Sequence, residues 1–126
     1  MCKNNQGFTL IEFLVAIVIL MVGMLGLLQS VNVALVNNLK TQLRNEGVIV
    51  ADLYMAREMG KTFTLISTAT ANFVERRQIL QSFNNYSVQR SGTTLSNSKQ
   101  VGFTVSWHHR GTRYTNETNS IVSTTQ

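Results

Sequence analysis

Apolar and polar positions divide the chain into three stretches. From Phe8 to Leu28 nearly every residue is apolar, and Phe13 to Leu28 runs without a polar side chain. As a helix rising ~1.5 Å per residue, Phe8–Leu28 would span about 31 Å, sufficient to cross a bilayer core. Beyond Leu28 the pattern becomes one-sided. Val31, Leu35, Leu39 and Leu43 recur at helical spacing, and Val50 and Tyr54 continue the stripe with a small shift. Asn38, Lys40, Thr41, Gln42, Arg44 and Asn45 occupy the other sides, as in a helix with one buried face. Gly60 is a natural stop. A helix from Phe8 to Met59 would be roughly 78 Å long. Its first half is apolar all round and needs lipid or other helices. Its second half needs a small globular partner.

The third stretch supplies that partner. Lys61–Ala71 is threonine-rich and reads as a loop. Asn72–Phe83 reads as a short second helix, with Asn72 as N-cap and Phe73, Leu80 and Phe83 on one side. Strand signals follow. Tyr86 and Val88 alternate with Ser87 and Gln89, and Gly92 and Asn97-Ser98 read as turns. Val101, Phe103, Val105 and Trp107 alternate with Gly102, Thr104, Ser106 and His108, a period-two pattern with one buried and one wet face. His109-Arg110-Gly111 reads as a hairpin turn, with Thr112–Thr118 and Ile121–Thr125 returning. The predicted fold class is α+β. A long N-terminal helix, transmembrane in its first half, carries a small C-terminal antiparallel sheet of three or four strands packed on its second half.

Composition adds constraints. The 126 residues allow one small domain beyond the apolar helix, with a modest core. The net charge of +5 is spread along the chain, and only Arg76-Arg77 are adjacent, so a solvated surface is expected and nucleic-acid binding is not. The single cysteine, Cys2, has no apolar lipobox before it, and proline is absent from the sequence.

The chemistry is concentrated at the start of the apolar run. Gly7-Phe8-Thr9-Leu10-Ile11-Glu12 places a carboxylate in the first turn of the membrane helix, and no further charge occurs until Lys40. A carboxylate in hydrocarbon is costly and normally has a partner and a function, although one near a helix end can also snorkel to the interface. Residues 1–7, MCKNNQG, are short, polar and positive through Lys3. The positive-inside rule keeps them cytoplasmic.

The hexapeptide resembles the processing site of type IV prepilins, and the match is specific over residues 7–29. By this resemblance residues 1–7 are a leader peptide and a prepilin peptidase cuts after Gly7. Phe8 then becomes the N-methylated first residue, and Glu12 becomes the docking carboxylate. Residues 8–28 form the transmembrane and filament-core segment, and 29–126 the periplasmic or surface head. Loss of the leader removes Lys3, lowering +5 by one to +4, and removes Cys2, leaving no cysteine; no intrachain disulfide is possible. Val22-Gly23-Met24-Leu25-Gly26-Leu27-Leu28-Gln29 resembles the run in PilV-type minor pilins. Major pilins commonly carry a helix-kinking proline near Gln29, and its absence points toward a minor subunit.

The physics agrees with the resemblance. Cleavage after Gly7 creates an ammonium at Phe8, with which Glu12 of a neighbouring subunit would pair, offsetting the cost of its apolar surroundings and setting axial register. The expected partners are major and minor pilin subunits, the prepilin peptidase, the inner-membrane assembly machinery and, before assembly, membrane lipid. The expected location is the inner membrane in a single pass, then an extracellular pilus or periplasmic pseudopilus. Three readings stay open: a minor pilin of a type IV pilus, a pseudopilin of a type II secretion system, and a plain single-span anchor displaying a binding domain. A secretory signal competes for the N-terminus, but Glu12 would hinder insertion and no A-x-A-like site follows.

No catalytic triad, P-loop or nucleotide fingerprint is present, so the chain is expected to be an enzyme's substrate and no enzyme itself. No cofactor is expected. His108 and His109 are neighbours on a strand and point to opposite faces, so they form no chelating pair and no metal is expected. They are expected as exposed turn residues. Trp107 is expected to anchor its strand, with Phe63, Phe73, Phe83 and Phe103 in the core.

Overall fold

A computed structural model of the protein describes residues 7–124. Residues 1–6 of the expected leader, Cys2 and Lys3 included, and the end of the expected final strand at Thr125 lie outside the described residues. The long helix is present. Helix α1 runs Leu10–Met59 and passes through Gly23 and Gly26 without a break. It ends at Gly60, whose N–H donates to the Ala56 carbonyl. A short 3-10 turn, Phe63–Leu65, interrupts the threonine-rich loop. Four strands follow: β1 Ala71–Ile79, β2 Ser82–Thr94, β3 Ser98–His109 and β4 Thr112–Ser123. They form one antiparallel meander in the order β1-β2-β3-β4. The architecture is α+β, as the sequence predicts.

The chain divides into two compact units, one ending at Leu39 and one beginning at Lys40. In the first unit the helix is long and apolar enough to cross a membrane. Its side chains are uncovered: Leu14, Ile19, Leu20 and Leu27 are all more than half exposed. The predicted amphipathic stripe is only partly buried. Val31 and Leu35 remain exposed, and burial begins at Leu43. A helical stripe is buried only where something lies against it, and in the second unit that role falls to the sheet.

In the second unit Leu43, Gly47, Val50 and Ala51 are buried against the inner sheet face. That face is built from cross-strand rows. Phe73, Val88 and Val105 form one, and Arg90, Phe103 and Thr118 another. Between the pairs Glu75↔Tyr86 and Trp107↔Tyr114, the Tyr86 and Trp107 rings meet with centres 5.7 Å apart. Tyr86, Val88, Val101, Phe103 and Val105 are fully buried. The strand and its inward residues are as expected, but the second face of β3 is not wet. Gly102 and Ser106 are buried and Thr104 is half-buried, and only His108 is exposed as expected, because central strand β3 is flanked by β2 and β4. Tyr86 ties sheet to helix, its hydroxyl donating to the Leu43 carbonyl at 3.0 Å. Burial pushes its phenol up to about 12.

Three expectations are corrected. Asn72–Phe83 is no helix: Ala71–Ile79 is β1, paired with β2 from Ala71↔Arg90 to Ile79↔Ser82. The helical spacing of Phe73, Leu80 and Phe83 misled because residues 75 and 77, though charged, face inward. Tyr54 donates to Glu75 at 3.2 Å and Arg77 pairs with Glu46 at 2.8 Å, so an alternating strand looks polar on both faces. Gly92 lies inside β2 opposite Val101 and marks no turn. A β-carbon there would meet the Gln100 carbonyl at 2.7 Å, so close backbone approach accounts for the glycine. Of the phenylalanines expected in the core, only Phe103 is fully buried. Phe63 and Phe73 are partly covered, and Phe83 is 57% exposed beneath the Arg76 guanidinium.

Both tight hairpins use two-residue turns. Arg110 (φ 50) and Gly111 (φ 79) both occupy the left-handed region, as a turn matched to strand twist requires. Leu80 (φ 55) occupies the same region between β1 and β2. The link between β2 and β3 closes through Leu95 N–H to the Ser98 carbonyl, at the expected Asn97-Ser98 position.

Candidate processing and assembly site

Gly7, Phe8 and Glu12 all lie in the first unit, around the start of α1. Gly7 and Phe8 precede the helix, so the bond between them is outside helical hydrogen bonding. Both are exposed, Phe8 to 87%. A β-carbon on Gly7 would meet nothing within 4 Å. Neither a tight contact nor a left-handed backbone demands glycine there, in contrast to Gly92 and Gly111. Among the described residues, nothing in the fold requires glycine at this position.

Glu12 has a local partner that the sequence reading missed. Thr9 is the N-cap of α1, and its carbonyl accepts the Phe13 N–H at 3.2 Å. The Glu12 carboxylate accepts from the Thr9 backbone N–H at 3.0 Å and from its hydroxyl at 3.1 Å. The Glu12 N–H in turn approaches the Thr9 hydroxyl oxygen at 3.4 Å. This is a reciprocal capping box. Its signal, Thr-x-x-Glu immediately before an apolar run, stands in Thr9-Leu10-Ile11-Glu12 and was legible in the sequence. The carboxylate also lies where the helix dipole favours negative charge. Its remaining acceptor sites face outward, since Glu12 is exposed. The arrangement fixes where that charge sits on the helix end.

The other residues singled out from sequence do not join this site. Trp107 is a core anchor at 4% exposure, packed on Tyr86 and stacked on Tyr114 with ring centres 6.0 Å apart. His108 is exposed. His109 is half-buried at the end of β3 rather than in the turn, because β3 extends through it and its position shares the inner face with Trp107. Among the described residues no group of three or more His, Cys, Asp or Glu side chains converges.

Sequence reading also missed Glu58. It lies in the last turn of α1 at 4% exposure. Its carboxylate accepts from Lys61 Nζ at 2.7 Å and from the Ser67 N–H at 2.8 Å, and pairs with Arg90 at 3.4 Å. Burial alone would push its pKa up. The hydrogen bonds and the Lys61 and Arg90 charges outweigh burial and hold it below the usual carboxylate range. Arg90 also donates to the Ala69 carbonyl. This hub fastens the loop to helix and sheet and is structural.

Residues 2–28 match the model of the prokaryotic N-terminal methylation motif. No curated protein and no solved structure matches the chain. The match covers Gly7, Phe8, the Thr9–Glu12 box and the apolar helix to Leu28, and the long helix ends in a small antiparallel sheet. This motif, followed by a long helix and a small antiparallel sheet, supports a type IV prepilin-like protein.

Proposed function

We propose that this chain is a minor pilin, made as an inner-membrane precursor and built into, or priming, a type IV pilus. The observation that carries the reading is the run of the methylation motif straight into one 50-residue helix that ends in a sheet. In this reading a prepilin peptidase cuts the exposed Gly7–Phe8 bond. The open space around Gly7 supports recognition from outside the chain. Phe8 is then methylated on its new amine. The leader lies in the cytoplasm, the apolar helix in the inner membrane and the sheet in the periplasm. The chain is a substrate of the processing enzyme and performs no catalysis.

Assembly moves the apolar helix from lipid into a bundle with major and minor subunits. The side chains from Leu10 to Leu28 suit either environment, because both are apolar. Glu12 would dock on the Phe8 ammonium of a neighbour, and its capping contacts with Thr9 leave outward acceptor positions for that purpose. The resemblance of Val22–Gln29 to PilV-type subunits supports a minor role.

Intact-mass measurement of the chain from cells with and without the peptidase tests the first step. A mature chain beginning at N-methyl-Phe8, seen only with the peptidase, is the expected result. A chain retaining residues 1–7 in both strains would leave a plain membrane anchor. Deletion of the gene then separates the filaments. Loss of surface pili supports the minor pilin, whereas intact pili with failed exoprotein secretion would assign the chain to a type II pseudopilus.

A further inference from the structure

A cavity of about 330 Å³ opens in the second unit, between α1 and the hairpin of β3 and β4. Its lining has two kinds of surface. Leu43, Trp107 and Tyr114 form an apolar wall, whereas Lys40, Arg44 and His109 supply nitrogen donors. None of the lining residues is acidic. Lys40 Nζ stands 5.4 Å from the centre of the Tyr114 ring. The His109 Nε2 atom is buried and has no hydrogen-bond partner among the described residues. Buried polar atoms are nearly always satisfied, so an orphan at the wall of a cavity points to a missing partner.

We propose that this cavity binds a carboxylate carried on a short apolar stem. The Arg44 guanidinium offers the planar fork that matches a carboxylate, and Lys40 adds a second charge. His109, as the tautomer protonated on Nε2, donates to the same group. The stem lies along Leu43 and the aromatic wall. Inorganic phosphate would satisfy the donors and leave that wall uncovered, so the stem is part of the recognition. Such a group comes either from an acidic side chain of a neighbouring protein or from a free small carboxylic acid. The proposal does not depend on how the N-terminus is processed.

Trp107 is the only tryptophan of the chain and lines the cavity, so its fluorescence reads occupancy. The full chain in a neutral detergent is titrated with a capped Ala-Glu-Ala peptide, with butyrate, with capped Ala-Gln-Ala and with inorganic phosphate. A saturable change with the Glu peptide is expected, and none with the Gln peptide. Tighter binding of the Glu peptide than of butyrate identifies a protein side chain as the source, and the reverse order identifies a free acid. Lys40→Met with Arg44→Met should weaken binding by about tenfold or more, the scale of a lost charge-assisted hydrogen bond. Both side chains are exposed, so the fold should survive, and circular dichroism checks that it does. No saturable response to either carboxylate, a response to the Gln peptide or to phosphate equal to that of the Glu peptide, or full binding by the double variant would overturn the proposal.

Discussion

A β-carbon added to Gly47 would stand 2.6 Å from the Trp107 ring. Helix and sheet therefore meet closely at this pair, where the absent side chain of one makes room for the indole of the other. Gly47→Ala must displace the ring or part the two layers. Overpacking of this kind costs about 1–3 kcal/mol. Thermal unfolding of the full chain in micelles, followed by Trp107 fluorescence, should show the loss. A stability unchanged from wild type would mean that the indole has room to move. Trp107→Ala, which empties the same space, should cost more, about 3–5 kcal/mol.

Glu58 predicts an acid dependence. Its folded pKa lies below its unfolded value, so its stabilising contribution is present above the unfolded value and fades as pH falls through the folded one. Glu58→Ala leaves Arg90, only 13% exposed at its side chain, without its carboxylate and should cost about 3 kcal/mol near neutral pH. The gap between wild type and variant should narrow below about pH 4, where a free carboxyl would be protonated. A gap constant from pH 7 to pH 3 would show that the charge of Glu58 contributes nothing.

Leu80 carries a backbone conformation that leucine dislikes. At φ 55 and 68% exposure it contributes little packing to offset the strain. Asn tolerates the left-handed region without glycine's extra freedom in the unfolded chain. Leu80→Asn should therefore stabilise the domain by about 1 kcal/mol. Chemical denaturation would read this as a higher midpoint at unchanged slope, and a lower midpoint would show that the Leu80 side chain has a packing role.

The helix and the β3–β4 hairpin were legible because each repeats one period over many residues. Val101 to Trp107 alternate cleanly, and Phe13 to Leu28 are unbroken. Strand β1 was hidden because Glu75 and Arg77 face inward to partners on α1 that lie far away in sequence. Glu58 was hidden for the same reason: its partners at residues 67 and 90 are brought together only by the fold. At the N-terminus Gly7, Phe8 and Glu12 stand out in the sequence because they lie at fixed spacing from the apolar run. Thr9 was overlooked although its capping signal was local. Thr9 is the hydrogen-bonding neighbour of the Glu12 carboxylate within its own chain.

That neighbour allows the two roles of Glu12 to be separated. In the folded chain the carboxylate caps α1 by accepting from Thr9. In the proposed filament it also pairs with the Phe8 ammonium of another subunit. Glu12→Ala removes cap and charge together. Glu12→Gln keeps an amide oxygen that can close the capping box and removes only the charge. Thr9→Ala removes the capping hydroxyl and keeps the charge. Cleavage should persist in all three, since neither residue forms the Gly7–Phe8 bond. Under charge pairing, the Ala and Gln variants of Glu12 accumulate in the inner membrane as processed protein and are absent from sheared filaments, whereas Thr9→Ala still enters them. Glu12→Asp should rescue in part, because the charge is kept on a shorter stem. Immunoblots of membranes and sheared filaments read each outcome. Should Glu12→Gln enter filaments at wild-type level while Thr9→Ala does not, the carboxylate acts by shaping the helix end, and the intersubunit pair is wrong.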